Sequence, residues 1–254
     1  MKLTRALVPS LFTVLNMFSG FSSILYASQG AVAAAAWFII LASIFDALDG
    51  FMARMTRSSS EFGVEFDSLA DVISFGAAPA FLAYRAFLYQ FNGLGMLLSS
   101  LVMIFGGIRL ARFNIQSTGL DKEYFRGLPI PASAMLISSL ILTYYEELIG
   151  LPTIDGYLLA GFLLILPALM ISQLKYDTIP KFTHRDLRKH PWRFVLFLAA
   201  LLVTIGSGGR ALFPLLLLYV LSGPFRRFIL AIKRALRPEA VPANEDQELT
   251  SMDL

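Results

Sequence analysis

Cysteine is absent from this chain of 254 residues, and charge is scarce. Without thiols there is no disulfide, no thiolate nucleophile and no cysteine-based zinc site, and the compartment stays open on that ground. Only 15% of residues are Asp, Glu, Lys or Arg, where an ordinary soluble domain carries about 25%. Histidine is nearly absent too. His184 and His190 stand six apart in a basic stretch, off the i, i+4 spacing that would put two ligands on one helix face, and they read as solvated side chains. No separate soluble domain and no nucleic-acid partner is expected.

What fills the chain is apolar sequence, 56% of residues. Several runs approach or exceed the roughly 18 to 20 residues that cross a bilayer. They predict an all-α polytopic membrane protein of about eight spans, near 10–29, 32–55, 62–90, 93–115, 131–150, 156–175, 192–207 and 210–232. The seventh is short, so a six-helix core with a looser final pair is expected. Lys2 and Arg5 precede the first run as in a signal peptide. Asn16 interrupts that run, however, and Ala27-Ser28-Gln29 is a poor cleavage site, so a retained helix is predicted. With the N-terminus inside, all of the 21 Lys and Arg except Arg85 and Arg210 fall on the inner side. That asymmetry predicts an even span count with both termini cytoplasmic. The stretch from Lys181 to Arg193 suits contact with anionic lipid as well. Residues 1–237 form one membrane domain. Residues 238–254 form an acidic tail without Lys or Arg, expected to be disordered.

Four aspartates break the apolar pattern. They lie in one run, Asp46-Ala-Leu-Asp49-Gly50-Phe-Met-Ala53-Arg54, then eight residues, then Gly63-Val-Glu-Phe-Asp67-Ser-Leu-Ala-Asp71. An acid at membrane depth is costly, so four together call for cations that offset them. Aspartate oxygens are hard ligands suited to Mg²⁺ or Mn²⁺. On a helix, Asp46, Asp49, Gly50, Ala53 and Arg54 share a face, as do Gly63, Asp67 and Asp71. Ser58 with Glu61 matches a capping box and predicts a helix start between them. Two antiparallel helices would then bring their acidic faces together near the cytoplasmic surface. Two metals there could clamp a pyrophosphate. Gly50, Ala53 and Gly63 leave those faces bare for a ligand or for close helix packing, and Arg54 could pair with a phosphate. The plainer reading, buried ion pairs between helices, suits one acid better than four.

The run resembles the signature of the CDP-alcohol phosphatidyltransferase family, D-x2-D-G-x2-A-R-x8-G-x3-D-x3-D, at every fixed position and gap. The resemblance implies a six-helix catalytic core and two divalent cations held by Asp46, Asp49 and Asp67. It implies Asp71 as general base and further ligand, with Gly50, Ala53, Arg54 and Gly63 lining the site for the CDP group. Three other segments resemble the phosphatidylserine synthase branch of that family. They are Val8-Pro9-Ser10-Leu11-Phe12-Thr13-Val14-Leu15-Asn16, Arg109-Leu-Ala-Arg112-Phe-Asn114 and Phe125-Arg126-Gly127-Leu128-Pro129-Ile130-Pro131-Ala132. Ser10 departs from the pattern, since many relatives have Asn there. The resemblance implies CDP-diacylglycerol and L-serine as substrates, phosphatidylserine and CMP as products, a homodimer, and an active site facing the cytoplasm of a prokaryotic cell membrane.

Other readings stand beside these. Serine carries a carboxylate that needs a cation; Arg109 and Arg112, with Asn114 beside them, could supply it, or could be ordinary inner-side charges. Asn16 could contact the nucleotide or join two helices. The Gly127–Pro131 segment could shape an acceptor pocket or be a plain loop. A phosphorylated acceptor such as glycerol phosphate or inositol phosphate would want more cationic residues near the metals. A cation or proton transporter would spread its acids through the membrane or across a repeat, and here they cluster without a repeat.

Overall fold

The first hairpin shows how the sequence sets its own helix boundaries. The computed structural model describes residues 10–56, 60–116, 124–177, 199, 202–204, 206–207 and 209–235. Helix α1 (Leu11–Ser28) starts after Ser10, whose side chain accepts the Thr13 amide as an N-cap. It ends where Gly30 takes a φ of 85°. The Gly30 amide reaches the Ala27 carbonyl at 3.1 Å and the Ala31 amide reaches Tyr26 at 2.9 Å, a Schellman pair that satisfies carbonyls at the helix end. Helix α2 (Val32–Thr56) returns against α1. Ala35 and Ala36 are fully buried, so the alanine run also supplies a bare packing face. Helix α1 likewise buries Ser19, Gly20, Ser23 and Ala27.

The third span departs from a plain helix. Helix α3 (Glu61–Asp71) is capped by Ser60, whose Oγ accepts the Gly63 amide at 3.0 Å. The expected capping box is therefore corrected. The N3 position is Gly63, which has no side chain to return the bond, while Ser58 lies outside the described residues. Glu61 instead sits in the first turn, where the helix dipole favours an acid. Directly after Asp71 comes a π-helical turn, Val72–Ala77, then α4 (Ala78–Ala86) and a 3₁₀ turn, Leu88–Phe91. The wide turn precedes Pro79, which has no amide to continue an α-helical ladder.

Helices α5 (Asn92–Gln116), α6 (Ile130–Tyr144), α7 (Thr153–Ile171) and α8 (Leu212–Ala235) complete the described bundle. Among the described residues, six helical segments are long and apolar enough to cross a membrane, and α6 is a shorter seventh. The protein is thus an all-α polytopic integral membrane protein. Ten of the 15 residues of α6 are buried, because it lies against α2, α4, α7 and α8. It stops at Tyr144 rather than near residue 150, since Glu146 and Glu147 follow and a turn pairs Glu146 with Gly150. Large side chains that remain exposed, such as Leu94, Ile154 and Leu218, face outward where lipid would lie. The expected span at 192–207 falls mostly outside the described residues, as do the His184–His190 stretch and the acidic tail. The parity of the span count rests on that segment.

An unexpected feature is a two-stranded antiparallel ribbon, β1 (Tyr124–Arg126) and β2 (Lys175–Asp177), with Phe125 opposite Tyr176. Next to it, Gly127 has a φ of 82°, and its amide bonds to the Leu174 carbonyl at 2.8 Å. A Cβ there would collide with the Met170 carbonyl. The Gly127–Pro131 break is thus fitted against the end of α7. Tyr176 is fully buried, and its hydroxyl donates to the Val220 carbonyl at 3.1 Å. That carbonyl has no α-helical donor, because the residue four positions on is Pro224. Tyr176 fills the gap, with its ring lying where a Cβ on Gly223 would be. Burial pushes its phenol up to about 12, so it stays a donor at any physiological pH.

Candidate active site

Chain direction alternates from helix to helix, so the start of α1, the end of α2, the start of α3 and the end of α5 meet at one end of the bundle. The acids are there. One carboxylate oxygen from each of Asp46, Asp67 and Asp71 lies within 4.8 Å of the others. Asp71 is only 8% exposed, and Asp46 and Asp67 are half-buried. Two unit charges 4.8 Å apart repel by about 3.5 kcal/mol at an effective dielectric near 20. The Asp67 Oδ1 atom is buried without a hydrogen-bond partner. An orphaned carboxylate oxygen beside two further hard oxygen donors fits a divalent cation.

Asp49 lies at the same end, within electrostatic reach of Asp67, but it is not one of the converging three. Both of its oxygens are held by α1: Ser10 Oγ donates to Oδ1, and Thr13 Oγ1 donates to Oδ2 at 2.7 Å. Helix α1 packs against both α2 and α3, so it joins the two acidic segments. Asn16, three residues further along α1 than Thr13, is fully buried. Its Nδ2 donates to Asp71 Oδ1 at 3.2 Å, and its backbone carbonyl accepts from Ser74 Oγ at 2.8 Å. The bond between helices, one of the two readings for Asn16, is thus present.

The expected acceptor residues diverge. Arg109 is 6% exposed and within electrostatic reach of Asp71. Arg112 instead donates from Nη1 to the Ile171 carbonyl at 3.0 Å, at the C-terminus of α7, where cations and donors are favourable. Asn114 donates to Ser68 Oγ at 3.0 Å and to Glu65 Oε2 at 3.5 Å on α3. Gly50 and Ala53 are half-buried on α2, and the side chain of Arg54 lies outside the described residues. Gly63 sits in the first turn of α3, where an added Cβ would come within 3.1 Å of Ser60 Oγ.

Sequence reasoning missed Ser10, Thr13 and Ser74 as parts of this arrangement. The signal for the first two was a capping Ser-x-x-Thr pattern at the mouth of an apolar helix; nothing marked Ser74.

Fold and site together define an integral membrane protein with a cluster of acids, suited to divalent cations, at one end of a helical bundle. The chain belongs to the CDP-alcohol phosphatidyltransferase family, whose family model matches residues 6–173 and so takes in all four aspartates. Members of this family generally depend on divalent cations. The chain is similar to a CDP-diacylglycerol–serine O-phosphatidyltransferase of Helicobacter pylori, strain J99, with 39% identity over 232 residues, 89% of this chain and 93% of the relative. It is 41% identical over 176 residues to an archaetidylserine synthase of Methanothermobacter thermautotrophicus, covering 68% of this chain and 70% of the relative. A CDP-diacylglycerol–serine O-phosphatidyltransferase of Bacillus subtilis is 31% identical over 185 residues, 73% of this chain and 98% of the relative.

Proposed function

We propose that this chain transfers the phosphatidyl group of CDP-diacylglycerol to the hydroxyl of L-serine, giving phosphatidylserine and CMP. The observation that carries the reading is the convergence of Asp46, Asp67 and Asp71 within 4.8 Å, one oxygen of Asp67 being orphaned. Serine as acceptor is supported by the relatives, bacterial and archaeal, whose names share it.

Asp46, Asp49, Asp67 and Asp71 would hold two divalent cations, Mg²⁺ or Mn²⁺, which when bound neutralise the pyrophosphate and stabilise charge at phosphorus. Asp71 takes the proton of the serine hydroxyl, a poor nucleophile at neutral pH without a base beside it. The serine oxygen forms its bond to the lipid-bearing phosphorus as the bond from that phosphorus to the CMP oxygen breaks. CMP departs with the electron pair, and no phosphatidyl-enzyme intermediate forms. The Asn16 bond to Asp71 Oδ1 fixes that carboxylate and leaves its other oxygen for the proton. Arg109, buried and within electrostatic reach of Asp71, is the better placed of the two arginines to receive the serine carboxylate. Gly50, Ala53 and Gly63 give the CDP group room, and Arg54 pairs with its phosphates. The Lys and Arg bias along the sequence supports a site that faces the cytoplasm, where serine and CMP exchange with water.

The test is purified protein with CDP-diacylglycerol and labelled serine, inositol phosphate or glycerol phosphate in parallel, with each metal and with chelator. Serine alone should be incorporated, and chelation should silence turnover. Asp71→Asn should lose turnover yet retain CDP-diacylglycerol binding. Full activity in chelator, or a covalent lipid–protein adduct on the wild type, would refute the mechanism.

A further inference from the structure

We propose that Ser10 and Thr13 are positioning residues for Asp49, so that the N-terminus of α1 sets where the fourth carboxylate of the site stands. Three of the four acids converge without help from α1 hydroxyls, whereas Asp49 has both oxygens bound by them. The two donors are themselves locked together: Ser10 Oγ accepts the Thr13 amide at 3.2 Å while donating to Asp49. The same hydroxyl therefore caps α1 and holds the acid. Thr13 is only 3% exposed, so its bond to Asp49 is sheltered from water. Each carboxylate oxygen carries two lone-pair sites, so an oxygen that accepts a hydroxyl still has one left for a cation. The arrangement is that of an outer layer of donors fixing the angle of a ligand, the loss of which typically weakens metal affinity about 10- to 100-fold.

This inference rests on the two-cation reading given under the proposed function, and the experiment separates the two. Mn²⁺ alone is titrated into the purified protein and followed through the spin-resonance signal of the free ion, with no substrate present. Thr13→Val removes the hydroxyl and keeps the shape. It should weaken one class of bound Mn²⁺ about 10- to 100-fold, and the Mn²⁺ concentration for half-maximal turnover should rise more than kcat falls. Thr13→Ser, which retains the hydroxyl, should restore both. Should Thr13→Val lose its fold, Ser10→Gly, which keeps a tolerated N-cap, carries the same expectation. An unchanged isotherm in Thr13→Val would overturn this inference alone. So would tighter binding, which would mean that the hydroxyls compete with the ion. A Thr13→Ser variant as impaired as Thr13→Val would reduce the role to packing and overturn it too. A wild type that binds no Mn²⁺ would remove the two-cation reading and this inference with it.

Discussion

Replacing Asn16 with Leu separates catalysis from stability, and the structure gives the size of each effect. Asn16 Nδ2 donates to Asp71 Oδ1 at 3.2 Å in a fully buried setting. A hydrogen bond to a charged group contributes about 1.5–3 kcal/mol. If that bond fixes the catalytic carboxylate, its loss raises the barrier by the same amount, or about 10- to 150-fold in kcat at 1.36 kcal/mol per decade. Stability should move much less. The Asn16 Oδ1 atom is buried without a partner, so Leu, of similar size, removes an unsatisfied polar atom, and that gain offsets the cost of leaving Asp71 Oδ1 without this donor. The bond from Ser74 survives because it ends on the backbone carbonyl of residue 16. CMP release by the wild type and Asn16→Leu should be followed in lipid nanodiscs over ranges of serine and CDP-diacylglycerol, with thermal melts of the same samples. The expected pattern is a large fall in kcat, a small change in the KM for CDP-diacylglycerol and a melting temperature close to wild type. A kcat within threefold of wild type would refute the reasoning, as would a loss of activity that simply follows a loss of fold.

Arg109→Ala should raise the KM for serine more than that for CDP-diacylglycerol, whereas Arg112→Ala, tied to the end of α7, should have the smaller effect on serine; equal effects on both substrates would return Arg109 to a topological charge. Asp46→Asn, Asp49→Asn and Asp67→Asn should each weaken Mn²⁺ binding in a direct titration, and wild-type affinity in any of them would exclude that residue as a ligand. Tyr176→Phe leaves the Val220 carbonyl without a donor and should cost about 1–3 kcal/mol, read as faster amide exchange around Gly223; unchanged exchange would show that the carbonyl finds another partner. Cysteines introduced at Gln29 and Thr118 should label from opposite sides of the membrane in a chain with no native cysteine, and labelling from one side would break the span order.

Much of this site was legible because it obeys helix periodicity. The i, i+4 spacing of Gly63, Asp67 and Asp71 and the i, i+3 spacing of Asp46 and Asp49 placed the acids on facing surfaces, and three of the four do converge. Hydropathy gave α1 and α2 to within about a residue at each end. What escaped was set by partners distant in sequence. Asp49 turns toward α1 because hydroxyls 36 and 39 residues away reach it, and no local pattern records such a pairing. Arg109 and Arg112 were paired by spacing, yet three residues along a helix is also a rotation, enough to bury one within electrostatic reach of Asp71 and to send the other to the end of α7. The β1–β2 ribbon is three residues on each strand, too short for an alternating pattern to rise above its surroundings. The N-cap moved from Ser58 to Ser60 because three consecutive serines offer the same chemistry, and only the amide of Gly63 decides among them.

Thr13, Asn16 and Gly20 stand at i, i+3 and i+7, one face of α1 over about 10.5 Å of helix. The first holds Asp49, the second holds Asp71, and the third lies so close to Ser74 that a Cβ would collide with it. The first span therefore acts as a gauge whose marks must line up with three separate points on its neighbours. Its outward residues can vary freely among apolar side chains. One inserted residue between Thr13 and Gly20 would swing the marks on one side of the insertion by about 100°, though the segment would cross the bilayer as well as before. Tolerance in this helix is thus to composition and not to length, the reverse of what a simple anchor would show.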